Sequence, residues 1–110
     1  MLEGIFGNKS AERVLLHVLH YGEIHASAIA QDYGMALNPI KSQLERFERA
    51  GVLVSKEMGR ARVYSFNPKS ALTPSVKNLV QIVYDSIAHK ERERIFQSRR
   101  RPRRKGKPLL

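Results

Sequence analysis

A single glycine, Gly34, separates two short amphipathic segments of this chain, and the second carries a polar outer face. Before the glycine, Ser27 is placed to cap a brief helix through Ile29, Ala30 and Tyr33. After it, Ile40, Leu44 and Phe47 recur at three- and four-residue steps until Gly51 stops the pattern, so they form a buried helical stripe. Two helices this short cannot bury their stripes alone, and further elements must close a core behind them. The opposite face of the second helix holds Lys41, Ser42, Gln43, Glu45, Arg46 and Arg49, rich in groups that donate hydrogen bonds.

The flanking segments supply the missing core. Ser10 is placed to cap a helix over about 11–21, with Ala11, Val14, Leu15, Val18 and Leu19 on one face and Gly22 as its stop. Glu23-Ile24-His25 is too short for a helix and alternates as a short strand does. Val52-Leu53-Val54-Ser55-Lys56 and Arg62-Val63-Tyr64-Ser65-Phe66 are rich in β-branched and aromatic residues. Met58-Gly59-Arg60 between them has turn chemistry, so the pair reads as a hairpin with a basic tip. Asn67-Pro68 breaks the second strand. Thr73 and Pro74 open the longest predicted helix, running to about Phe96, with Val76, Leu79, Val80, Val83 and Ile87 on its apolar side.

Charge is concentrated at one end. Of a net +10, residues 98–110 carry +7, from Arg99, Arg100, Arg101, Arg103, Arg104, Lys105 and Lys107 with no acid. The expected layout is a 1–70 domain, a 71–97 helix and a disordered basic tail over 98–110. Such a tail neutralises phosphates and releases counterions, which points to nucleic acid as partner. Cysteine is absent, which excludes disulfides, thiolate metal sites and cysteine nucleophiles. The start, MLEGIFGNKS, lacks a basic-then-apolar signal pattern, and no apolar run nears the roughly 18 residues that span a bilayer. The expectation is a cytoplasmic protein with no membrane partner. There is no Gly-rich phosphate loop, G-x-S-x-G elbow or H-E-x-x-H pair, so no enzyme and no cofactor are expected.

The order helix, short strand, helix, glycine turn, helix, basic hairpin is that of a winged helix-turn-helix, mainly α with a small β-hairpin wing and here a long C-terminal helix. The run GEIHASAIAQDYGMALNPIKSQLERFERAGVLVSKEMGRARVYSFNP, residues 22–68, resembles the winged helix domain of ArsR-like bacterial transcriptional regulators. IFGNKSAERVLLHVL, residues 5–19, extends the resemblance through the first helix. LERFERAGVLV matches the family's L-x-x-L-x-x-A-G-L-V end of the recognition helix, and GRARVYSFNP matches its wing. MarR-like regulators share these pieces. One stretch departs: Met35-Ala36-Leu37 stands where relatives place a Ser or Thr cap. Either Asn38 caps a later start, or Pro39 sits inside the first turn, where its missing N–H costs nothing.

The resemblance implies sequence-specific binding of double-stranded DNA by a transcriptional regulator, a repressor by default. Asn38, Lys41, Ser42, Gln43, Arg46 and Arg49 would face the major groove. Gln43 suits adenine, and Lys41 or Arg46 suits guanine or phosphate. Arg60 and Arg62 would set the wing on backbone or minor groove. Arg99, Arg100, Arg101, Arg103 and Arg104 would bind phosphates, or lie in the minor groove as an AT-hook does, although the glycine of that motif is absent. Val76, Leu79, Val80, Val83 and Ile87 would form a homodimer interface, setting two recognition helices about 34 Å apart on a pseudo-palindrome. The family also leaves room for a small-molecule effector. His17 and His20, with Asp85 and His89, have helical spacings that zinc could use, but the family's cysteine pairs and Asp-x-His sensor pattern are missing, so no metal is expected. The competing readings are a winged helix module for RNA or protein, and a nonspecific architectural DNA-binding protein.

Overall fold

A computed structural model describes residues 1–97. In chain order its elements are α1 (Glu3–Phe6), α2 (Lys9–Tyr21), β1 (Glu23–His25), α3 (Ala26–Tyr33), α4 (Leu37–Arg49), β2 (Leu53–Met58), β3 (Ala61–Phe66), α5 (Thr73–Ser86) and α6 (His89–Ile95).

Helix starts are set by backbone context more than by the expected caps. Asn8, rather than Ser10, caps α2: its side chain accepts from the Ala11 N–H at 2.8 Å. Extended His25, not Ser27, precedes α3, and its side chain makes no capping bond. Local sequence pattern gives no signal for the turn α1. Glu12, one turn into α2, holds it by accepting from the Leu2 and Glu3 N–H groups at 2.8 and 3.3 Å. Leu2 is thereby carried into the core.

Three strands form one antiparallel sheet in the order β1-β3-β2. Ile24 pairs with Tyr64, so the short strand between α2 and α3 anchors the hairpin to the helices. In the hairpin, Leu53 faces Phe66 and Met58 faces Ala61, which leaves a two-residue tip, Gly59-Arg60. The ladder runs further toward the tip than β-propensity suggested. Gly59 adopts φ 64°, a left-handed value that suits glycine at a tight hairpin turn.

The core collects Val14, Leu15 and Val18 from α2, Ile29 from α3, Ile40 and Leu44 from α4, and Leu53 from β2. It also includes Val80 and Val83 from α5, while Val76, Leu79 and Ile87 pack against it as half-buried side chains. Of the expected interface stripe, Val80 and Val83 are thus buried in the chain's own core, whereas Val76, Leu79 and Ile87 stay partly exposed. The single long C-terminal helix is revised. Ile87 leaves helical geometry at φ −83°, ψ 126°, and Ala88 is extended before α6 begins. The reason lies at the far end of α6. Phe96 stacks on His20 with ring centres 4.1 Å apart and planes 6° from parallel. The Arg92 guanidinium lies 4.4 Å from the Tyr84 ring centre. A straight continuation of the charged stretch would have carried Phe96 away from α2 and into water.

Candidate nucleic-acid interface

The turn between α3 and α4 is Gly34-Met35-Ala36. Gly34 takes φ 60° and closes α3, its N–H bonding to the Ala30 and Gln31 carbonyls. Ala36 is extended, and α4 starts at Leu37 without a side-chain cap. Asn38 is therefore the second helical residue, not the cap, and Pro39 sits inside the first turn, where no N–H partner is required.

This start fixes which residues face outward. Ile40 and Leu44 are fully buried and Phe47 nearly so, which clamps α4 from behind. Leu37, Asn38, Pro39, Lys41, Ser42, Glu45 and Arg49 are exposed along the other side. Of the expected groove residues, Asn38, Lys41, Ser42 and Arg49 thus share one open ridge.

Gln43 and Arg46 do not join it freely. Both are half-buried, and the Arg46 guanidinium donates to Gln43 Oε1 at 2.7 Å and to the Phe6 carbonyl at 3.0 Å. Phe6 meets the Phe47 ring edge-on at 5.4 Å. Arg46 therefore spends its planar fork on tying α4 to α1. Periodicity alone cannot show this, because Phe6 lies forty residues away.

The wing is wired to α4 as well. Arg62 donates to Ser55 Oγ at 2.9 Å and to Glu57 Oε2 at 3.1 Å. Ser55 in turn donates to Glu48 Oε2 at 2.6 Å, so a chain of three side chains links β3, β2 and α4. Arg60 stands exposed at the tip, and Lys56 on β2 reaches across β3 to within 3.7 Å of Glu23 on β1. Beneath this junction Tyr64 is buried, and burial together with the nearby Glu48 and Glu45 carboxylates pushes its phenol above the usual tyrosine range. The sequence reading gave no site role to Leu37, Glu45, Glu48 or Ser55. Glu45 could have been found from its place on the helical ridge, whereas the Ser55–Glu48 contact depends on tertiary packing.

Behind the ridge, a buried polar pair sets the relation of α2 to α3. His17 Nε2 donates to Asp32 Oδ2 at 2.8 Å, and the two side chains are 0% and 3% exposed. The His17 pKa lies below 6.5, with burial the dominant cause opposing the nearby Asp32. Tyr33 packs beside it, and the Arg13 guanidinium covers the Tyr33 ring at 4.4 Å. His20 is spent on Tyr84, whose hydroxyl is 2.7 Å from its Nδ1, and on Phe96. Among the described residues, no three His, Cys, Asp or Glu side chains converge as a metal site would require. Likewise, no described helix is long and apolar enough to cross a membrane. Arg99, Arg100, Arg101, Arg103 and Arg104 lie outside the described residues.

No family model and no curated protein matches the chain by sequence. Solved structures match it in fold. The homodimeric winged helix-turn-helix DNA-binding domain of a possible ArsR-family transcriptional regulator from Mycobacterium bovis is 24% identical, with a TM-score of 0.55 over 80% of each chain. The AntR antimony-specific transcriptional repressor is 18% identical, with a TM-score of 0.57 over 76% of this chain and 74% of its own. A MarR-family transcriptional regulator from Rhodococcus sp. RHA1 is 14% identical, with a TM-score of 0.59 over 87% of this chain and 65% of its own. The architecture read from the sequence and the architecture of these neighbours agree: the chain is a winged helix-turn-helix fold, similar to those of ArsR- and MarR-family regulators.

Proposed function

We propose that this chain binds double-stranded DNA sequence-specifically as a twofold dimer and represses transcription. One observation carries the reading: Asn38, Lys41, Ser42 and Arg49 form an open ridge on a helix anchored from behind by Ile40, Leu44 and Phe47. A helix of this girth enters the roughly 12 Å major groove of B-form DNA, whereas the deep, narrow major groove of duplex RNA excludes it. Arg60 at the wing tip and the basic residues from Arg99 to Lys107 would add phosphate contacts. The dimer is supported by the homodimeric neighbour. With Val80 and Val83 used internally, its contact falls to the outer side of α5, where Leu72 and Ile82 are 56% and 59% exposed. Repression follows from a small protein occupying a site that polymerase needs, and a small-molecule effector would act by shifting the dimer geometry. Selection of bound sites from random duplex DNA tests the reading. Enrichment of a pseudo-palindrome with half-sites about one turn apart is expected, and recovery of no preferred sequence would overturn it.

A further inference from the structure

We infer that Leu37 reads the C5-methyl group of a thymine in the major groove. This deepens the DNA-binding reading above and rests on it. Leu37 is the first residue of α4, and helices of this kind present their N-terminal residues to base edges. It is 41% exposed, and it is the one large apolar side chain that α4 leaves outside. The other large apolar residues of that helix, Ile40, Leu44 and Phe47, are buried. Among the described residues, the remaining exposed large apolar side chains beyond the N-terminal segment lie elsewhere: Val54 and Met58 on β2, Leu72 and Ile82 at α5.

The chemistry of the groove narrows the ligand. Among the four bases, only thymine presents an apolar group there, its C5-methyl. A leucine beside Asn38, Lys41 and Ser42 gains nothing from phosphates and gains burial from that methyl. Its neighbour Asn38 has the side chain that pairs with adenine N6 and N7, so the two adjacent residues favour A·T pairs at the same end of the helix. The internal bonds of Gln43 and Arg46 shift base reading further toward this end.

The test uses the full chain and the duplex it enriches from a random pool. Each thymine is replaced singly by deoxyuridine, which removes the methyl and leaves pairing unchanged. At one position per half-site, wild-type affinity should fall about 4-fold, the expected effect of one buried methyl. Leu37→Ala should lose that sensitivity, and Leu37→Met should keep it. Three results would each overturn the assignment: no deoxyuridine effect in the wild type, equal effects in wild type and Leu37→Ala, or a Leu37→Ala change in oligomeric state with the deoxyuridine response intact. Those results leave DNA recognition standing. If the pool yields no enriched duplex at all, recognition and the assignment fall together.

Discussion

Ser55 on the wing donates a hydrogen bond to Glu48 on α4 across 2.6 Å. The same hydroxyl accepts from Arg62, so wing and helix share one polar joint. Ser55→Ala should cost about 1–2 kcal/mol, since a bond to a charged acceptor is lost. It should also weaken DNA binding by loosening the wing. Urea midpoints and binding isotherms on the same variant give both values, and an unchanged affinity would remove the wing from the interface.

Arg46 and Lys41 should separate cleanly although both are basic residues of α4. Arg46→Ala removes two internal hydrogen bonds and should lower stability by about 1–3 kcal/mol. Lys41→Ala touches an exposed side chain and should change stability by less than about 0.5 kcal/mol. It should instead reduce DNA affinity, and if Lys41 contacts phosphate the salt slope should fall by about one. Paired melting and salt-titration data check this contrast.

Val80 and Ile82 are two residues apart on α5 and face opposite environments, 0% and 59% exposed. Val80→Ala should destabilise the protein by about 2 kcal/mol at every protein concentration, from lost methyl burial and a residual cavity. Ile82→Asp should leave the protomer folded and shift light scattering toward monomer. Dimerisation unaffected by Ile82→Asp would place the contact elsewhere.

Burial of His17 sets a pH dependence. Its native pKa is lowered from 6.5, so across the window between the native value and 6.5 the unfolded chain binds the extra proton. Stability therefore rises with pH through that window and is complete above about pH 6.5. Denaturant midpoints should drop as pH falls below 6.5, and the His17 ring resonances should titrate below that value. A midpoint at or above 6.5 would contradict the account.

The tail supplies a fifth test. Deleting residues 98–110 removes seven cations and no acid. DNA affinity should fall and its salt dependence should flatten, because fewer counterions are released on binding. If affinity and slope both stay the same, the tail makes no contact with DNA.

Much of this fold is written in local pattern. The stripe Ile40-Leu44-Phe47, the apolar face of α2 and the alternating strands of the hairpin are all visible because helix and strand periods act over a few residues. The open ridge is legible for the same reason, since burying one face of a helix exposes the other. What tertiary structure alone decided is where distant partners intervene. Arg46 turns inward because Phe6, forty residues earlier, offers a carbonyl. The last helix breaks at Ile87, which lets α6 lay Phe96 on His20, while Tyr84 bonds to that histidine across sixty-four residues of chain. Val80 goes to the chain's own core because α5 packs on α2. Periodicity tells which face of a helix is apolar; only the folded chain tells what that face is buried against.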